Sequence, residues 1–396
     1  MSAVPAASAS AAGTRPPPVL WALLFGNFVI GTGVMVVPGT LNEISTALAV
    51  SVATAGQLIS AGGVLMCLAA PLCAALVARW DRRRLLALAM AWYGLLHFAC
   101  ALAPGFAWLL PLRVLALLSA AVFTPQAAAC VGLLVPPEQR GRAITFIFLG
   151  WSLASVLGMP FGALVGGTLG WRHAFAGVGL ASLASAFWVW RAMPRGVQPP
   201  ALSLAAWRQT FRSRAIMTTV LVTVLFNGGQ FVLFSYFAPY FQQGMGATPG
   251  QLSLLFMWFG AWGLAGNVLM SRNFDRIGVD RAVMAGAGLT ALTLLLFPLG
   301  TGLALAALVC VPWALGCFSS NSAQQARLVG MAPPLAAASV ALNSSGIYAG
   351  QAIGASAGGW LVTHAGMGSL HWAALGGVLA AMGASALATR FARRGQ

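Results

Sequence analysis

Two ionisable side chains in this sequence sit inside long apolar runs. Arg113 lies in "WLLPLRVLALL" and His97 in "YGLLHFACALA". A guanidinium in such a place can bind a substrate anion or polarise a nearby proton site. An imidazole can carry a proton near neutral pH. Placing an arginine at the centre of a membrane helix costs about 2.5–3.5 kcal/mol on insertion scales, so Arg113 calls for a reason to be there. Simpler alternatives stay open: Arg113 reaching an interface along its stem, and His97 as a hydrogen-bonded packing group. The chain has five carboxylates. Asp81, Glu138, Asp275 and Asp280 fall in arginine-rich loops, and Glu43 at the outer end of the first apolar run. None is expected at membrane depth, where proton-driven carriers commonly hold a buried acid. The six cysteines all fall in apolar runs without metal-ligand spacing and read as small buried hydrophobes.

The loop charges come in packets. "RWDRRR" (79–84) sets Asp81 beside Arg82, Arg83 and Arg84, and "RNFDRIGVDR" (272–281) sets Asp275 beside Arg276 and Gly278. An aspartate there can pair with arginines and with a helix end.

The elements that must position these groups follow from composition. Hydrophobic residues make up 59% of the chain and charged residues only 7%, with a mean hydropathy of +0.86. A soluble domain carries about 25% charged residues. The fold class is therefore an all-α membrane protein, and twelve spans are expected. They begin near Leu20, Thr54, Leu85, Trp108, Ala143, Ala174, Ala215, Gln251, Ala282, Gly302, Ser339 and Trp372. With the N-terminus in the cytoplasm, nineteen of twenty-one arginines fall on that side; Arg172 is outside and Arg113 within a span. Both termini are thus expected in the cytoplasm. The net charge of +16 is scattered between apolar runs, which excludes a solvated nucleic-acid-binding face. No clustered catalytic or metal-ligating constellation points to an enzyme, and no cofactor is expected. No loop is long enough for a sensor's output domain.

A polar gap at 191–214 divides six spans from six. "GMPFGALVGG" (158–167) recurs as "GQAIGASAGG" (350–359), 192 residues later, and the two charged packets recur at a similar offset. The expected organisation is a disordered cytoplasmic tail (1–18), an N-terminal six-helix half (19–193), a cytoplasmic linker (194–214), a C-terminal six-helix half (215–390) and a short cytoplasmic tail (391–396). Duplicated halves around a midplane site form a transporter architecture. The glycine stripes, with Gly158, Gly162, Gly354 and Gly358, are expected to line the contact between halves, and Pro160 to allow a bend.

These motifs resemble the major facilitator superfamily, in particular its drug/proton antiporter branch with arabinose-efflux-like permeases. "VARWDRRRLL" keeps an aspartate and the arginine run of the superfamily's loop motif, and "SRNFDRIGVDR" keeps its D-R-x-G step. Gly158-Met159-Pro160 resembles the fifth-span motif, and Arg113 stands for the fourth-span arginine. The resemblance implies the major facilitator fold in the cell inner membrane. It implies that Asp81 and Asp275 act in a gate that latches the halves. It also implies a cavity lined mainly by spans 1, 4, 7 and 10, with help from 2, 5, 8 and 11. Asn27, Gln126, Asn227, Gln230, Trp258, Trp262, Asn321, Asn343 and Tyr348 fall on those spans. Each amide alone could be interhelical glue worth about 0.6–2 kcal/mol; together with the aromatics they describe a pocket that hydrogen-bonds its ligand. The expected function is export of small organic molecules by alternating access, with protons as coupling ion and membrane lipid as surroundings. With Arg113 the one permanent charge in the cavity, the substrate should be neutral or anionic. An uptake symporter or facilitator is the rival on the same fold, and a membrane sensor or enzyme the remote one.

Overall fold

A computed structural model describes residues 17–77, 79–136, 139–198 and 204–394. The first half comprises α1 (Pro18–Ala47), α2 (Val52–Leu76), α3 (Arg82–Ala101), α4 (Phe106–Leu134), α5 (Arg140–Leu153), α6 (Met159–Leu169) and α7 (Trp171–Ala192). A short helix, α8 (Leu204–Arg212), precedes the second half. That half comprises α9 (Arg214–Phe234), α10 (Phe237–Met245), α11 (Pro249–Arg272), α12 (Phe274–Ile277), α13 (Val279–Leu296), α14 (Leu303–Val309), α15 (Val311–Met331), α16 (Ala336–His364) and α17 (Leu370–Arg394). Among the described residues eleven segments are long and apolar enough to cross a bilayer; α5 and α6 form one of them, as do α9 with α10 and α14 with α15. α16 supplies a twelfth of membrane length. Its 29 residues span about 43 Å at 1.5 Å per residue, and Asn343, Ser344 and Ser345 lower its apolarity.

Local sequence sets the breaks. Pro18 opens α1, where its missing N–H costs nothing. Pro38 lies inside α1, and the helix kinks at Thr40, whose hydroxyl bonds back to the Val36 carbonyl at 2.8 Å. A π-bulge at Ala154–Gly158 joins α5 to α6 just before Pro160. Such bulges re-aim a helix and are frequent at functional positions. Gly278 caps α13 with φ of +83°, a left-handed conformation that a side chain would strain.

The bundle has two ends. One carries the first residues of α1 and the last of α17, and most of the arginines; it is called here the arginine face, and the opposite end the far face. The core is not uniform between them. One large cluster joins the halves near the far face, from Val36, Leu41 and Ile44 in α1 to Phe237, Phe241 and Phe256 in α10 and α11, and continues within the second half alone to Ala282, Ala323 and Ala388 toward the arginine face. Toward the arginine face the core divides. A first-half cluster contains Leu23, Met90 and Phe123, and a separate small one in the second half contains Ile216, Val220 and Leu328.

The glycine stripes lie inside the halves, not between them as expected. A Cβ on Gly158 would meet Thr32 of α1, and one on Gly162 would meet Val36. On the other side, Gly354 faces Gly228 and Phe231 of α9, and Gly358 faces Val232 and Tyr236. Each stripe brings two backbones of one half together, as small-residue faces do in lipid. Only the last glycine of each pattern faces across: Gly167 lies against Pro249, and Gly359 beside Ala53. Pro160 does reach the other half, its carbonyl accepting from Ser253 at 3.1 Å.

The arginine distribution yields a direct expectation. Reporter fusions should place the C-terminus on the cytoplasmic side and a site after His364 on the opposite side. The same side for both would break the twelve-span arrangement.

Candidate functional site

Arg113 and His97, sixteen residues apart on α4 and α3, meet in the buried interior of the first half. Arg113 Nη1 lies 3.0 Å from His97 Nε2, and Nη2 donates to the Gly33 carbonyl of α1 at 2.6 Å. His97 Nδ1 is 2.8 Å from the Tyr93 carbonyl, and the Tyr93 hydroxyl donates to Ile30 O at 3.3 Å. A carbonyl can only accept, so His97 Nδ1 carries the hydrogen. Nε2 is then a lone pair receiving the guanidinium. The imidazole is neutral in this arrangement, and a proton on Nε2 would face Arg113 with like charge. Gly33 makes the approach feasible, because a Cβ there would lie 2.8 Å from Tyr93 Cζ. The Phe175 ring completes the nest, 5.8 Å from the guanidinium carbon.

Arg113 is thus held by acceptors at depth rather than stretched toward an interface. It also borders a small cavity lined by Val34, Leu58, Gly62, Leu117 and, from the second half, Gln351. That cavity sits where the closed far end of the bundle meets the divided arginine end.

The amides form two networks at corresponding places. In the first half Asn27 donates to Ile147 O at 3.2 Å and accepts from Thr124 at 2.9 Å, with the Trp151 indole 3.4 Å from the same threonine. This joins the first, fourth and fifth spans. In the second half Thr223 donates to Asn343 at 2.6 Å. Asn227 donates to Asn321 at 3.3 Å, Gln230 donates to Asn227 at 3.3 Å, and the Trp313 indole donates to Gln230 at 3.1 Å. This joins the seventh, tenth and eleventh. Asn27, Asn227 and Gln230 are therefore largely satisfied as interhelical bonds. Gln126 is buried on α4 without a bond to either network. Asn343 Nδ2 and Gln324 Oε1 are buried without partners. Tyr348 packs against the first-half core, and Gly63 of α2 lies against its carbonyl, so α16 crosses between the halves there.

Trp258 and Trp262 are not brought to these amides. They pack edge to face at 5.5 Å, and the Trp258 indole donates to Ala307 O in α14. The buried face of α11 is instead Leu255, Phe256, Phe259, Gly260, Gly263 and Gly266. The tryptophans share a face, as their spacing dictates, but it is the wrong one for the pocket.

The first charged packet is a clamp within its own half. Asp81 caps α3 through Arg84 N–H at 3.2 Å and accepts from the Gly196 N–H at 2.6 Å, just beyond α7. Arg82 bonds the Val77 and Trp80 carbonyls, and Arg83 lies over the Trp190 ring at 4.6 Å. What little burial Asp81 has would raise its pKa. The N–H groups of Gly196, Arg84 and Arg83 and the Arg84 charge outweigh it, and the carboxyl is held below its ordinary value. A depressed acid contributes its stability above the unfolded value and loses it as pH falls through the folded one, so at neutral pH the clamp is fully formed. In the second packet Asp275 and Arg276 lie in α12, with Arg276 exposed; the Asp275 side chain is outside those described.

Sequence reading missed the pair beside it. Arg327, counted as a topology charge, is buried in α15. Its Nε lies 2.7 Å from Asp280, and its Nη atoms donate to Ser385 and Thr389 of α17. The available signal was that Arg327 follows Asn321 and Gln324 along α15, at spacings of three and six residues that keep to one side of a helix.

The profile of the Major Facilitator Superfamily matches residues 23–341, and the chain belongs to that family. It is 29% identical to the inner membrane transport protein YdhP of Escherichia coli K12, over 92% of this chain and 93% of that protein. It is 32% identical to a chloramphenicol resistance protein of Streptomyces lividans, over 68% and 70%. Among solved structures, a bacterial homologue of the human lysosomal transporter Spinster, inward-facing and unoccupied, superposes with a TM-score of 0.74 at 19% identity, covering 96% of this chain and 97% of that one. Fold and family are those of membrane transporters.

The Arg113 nest predicts a specific cost. His97→Phe fills the ring volume but removes the acceptor, leaving a buried N–H of Arg113 unpaired at about 1–3 kcal/mol. The purified protein's melting midpoint should fall.

Proposed function

We propose that this protein is a secondary active transporter of the inner membrane that exports small organic molecules, neutral or anionic, by alternating access coupled to protons. The observation that carries this reading is the one-sided closure of the bundle: a core common to both halves at the far face, and separate cores toward the arginine face. With the arginines cytoplasmic, that is a carrier open to the cytoplasm, the side from which an exporter loads. The conformational class fits the inward-facing neighbour, and export fits the relative named for chloramphenicol resistance. The moving units are the halves 19–193 and 215–390, joined by the linker 194–214.

Coupling is assigned to the His97–Arg113 pair. Protonation of His97 Nε2 abolishes the acceptor that holds Arg113 and turns attraction into repulsion. The freed guanidinium can turn into the adjoining cavity, where it would meet an anionic or hydrogen-bonding substrate. Asp81 and Asp275 serve as gate residues, their packets re-pairing when the arginine face closes.

The test is transport in everted vesicles together with a growth-inhibition panel in an efflux-deficient host. Neutral and anionic compounds should be exported, and dicationic dyes should be poor substrates. Arg113→Ala should abolish proton-dependent transport at normal expression. Asp81→Asn and Asp275→Asn should slow it without removing the protein from the membrane. Robust dye resistance undiminished by Arg113→Ala would overturn the assignment of the cavity's charge.

A further inference from the structure

Among the described residues Glu43 is the one carboxylate at the far-face end of the helices; Asp81, Asp275 and Asp280 lie at the arginine face. It sits near the end of α1 and faces α10 of the other half. Gln242 Nε2 donates to Glu43 Oε1 at 2.9 Å, and beside it Gln243 Nε2 donates to Asn42 Oδ1 at 2.8 Å. Both bonds cross between the halves. The remaining oxygens of the first pair are the informative ones: Glu43 Oε2 and Gln242 Oε1 are both buried, and neither has a hydrogen-bond partner.

Two buried acceptors on one side-chain pair lack the same thing, a hydrogen. A carboxylate is acceptor-only, whereas a carboxylic acid offers one O–H. A primary amide offers both an N–H and a carbonyl. An acid and an amide can therefore close a two-bond ring, the acid O–H donating to the amide oxygen and the amide N–H to the acid carbonyl. One proton supplies the bond that both orphaned oxygens need. Among the described residues no cation does so instead. Arg113, on α4, is bound at Gly33, ten residues or about 15 Å back along α1. Arg172, at the start of α7, donates to Ala103 O at 2.8 Å and lies over the Trp171 ring at 4.4 Å. His173 is its exposed neighbour. Tyr240 on α10 packs on the Phe241 and Phe297 rings. α6 approaches through Gly167, where a Cβ would lie 3.6 Å from Glu43 Oε1, and brings no charge. The titratable groups of α2 (Cys67, Cys73) and α5 (Arg140, Arg142) lie toward the arginine face.

We infer that Glu43 and Gln242 form a proton-closed latch between the halves. Glu43 takes up a proton from the far-face solution as that face closes, and holds it as an acid–amide pair. When the face opens, the partners separate, Glu43 is wetted and the proton returns to the same solution. The proton adds a cross-half bond only in the closed state, so acid on that side favours closure there and opening at the arginine face. The latch goes beyond the His97–Arg113 coupling site, being a sensor of the far-face solution rather than a carrier across the membrane. Its test needs no substrate, so failure of the export reading leaves it standing.

Infrared difference spectroscopy of the whole protein in lipid reads the proton directly, because the chain has five carboxylates in all. A protonated carboxylic acid C=O band should be present at neutral pH, shift in deuterated water, and vanish in Glu43→Gln. Absence of the band, or its survival in Glu43→Gln, overturns the inference. Hydrogen–deuterium exchange, corrected for its intrinsic pH dependence, reads the consequence in segments 42–52 and 237–249. In wild type their protection should rise about 3- to 10-fold from alkaline to mildly acidic pH, the worth of one net hydrogen bond. Glu43→Gln, which can form the analogous amide–amide ring, should be protected at both pH values, and Glu43→Ala at neither. Equal behaviour of the two variants, or a pH-independent wild type, also overturns it.

Discussion

The hydrocarbon of a bilayer accepts no hydrogen bonds, and that constraint shapes every polar group at depth in this protein. Arg113 shows it most clearly. A guanidinium cannot lose its charge, so the fold must bring acceptors to it. It does so with an imidazole from α3 and a backbone carbonyl from α1, at a glycine that leaves room for Tyr93. Three helices are tied by one side chain. The neutral state of His97 follows from the same requirement, since only a lone pair can face the guanidinium.

The same rule sorts the amides. Asn27 and Asn227 occupy similar positions in the two halves, and each is consumed by bonds to the fourth- and tenth-span partners Thr124 and Asn321 or to backbone carbonyls. Such bonds fix spans relative to one another within a half, which a rigid-body mechanism requires. On the proposed export reading, groups left unspent by these bonds are the candidates for ligand recognition, among them Gln351 beside Arg113 and the unpaired Nδ2 of Asn343.

The architecture was legible from one-dimensional signals. Composition and span length gave the helical membrane fold, and the loop and span motifs gave the family, because each depends on residues close in sequence. The neighbours of a helix face were not legible. Gly158 and Gly354 announce a close helix contact in either reading, and only the fold says that the partner is α1 or α9 of the same half. Trp258 and Trp262 announce a shared face but not its direction. His97 and Arg113 were each conspicuous alone; their meeting depends on how α3 and α4 pack. Arg327 was counted as a topology charge because Asp280, 47 residues away in sequence, carries no local sign of pairing with it.

The polar contacts inside the halves and between them differ in kind. Within a half, glycines let backbones touch, and buried amides and arginines bind across helices; breaking these would strand polar groups in lipid at about 1–3 kcal/mol each. Between halves, the hydrogen bonds of Gln242 with Glu43, Gln243 with Asn42, and Ser253 with the Pro160 carbonyl are single side-chain bonds gathered toward the far face, beside close backbone packing of Gly63 on α16 and of Gly260 on Ser155. Water entering an opened cleft can replace each of these hydrogen bonds at little net cost. On the proposed alternating-access reading, these polar bonds are the ones that exchange with water while the halves stay intact. An alternating-access equilibrium must lie within a few kcal/mol of balance for a substrate or a proton to shift it. Exchangeable polar bonds keep that part of the seam near balance, whereas the shared apolar core and the close contacts at Gly63 and Gly260 must separate or slide as the far face opens, and their cost sets how strongly closure there is favoured.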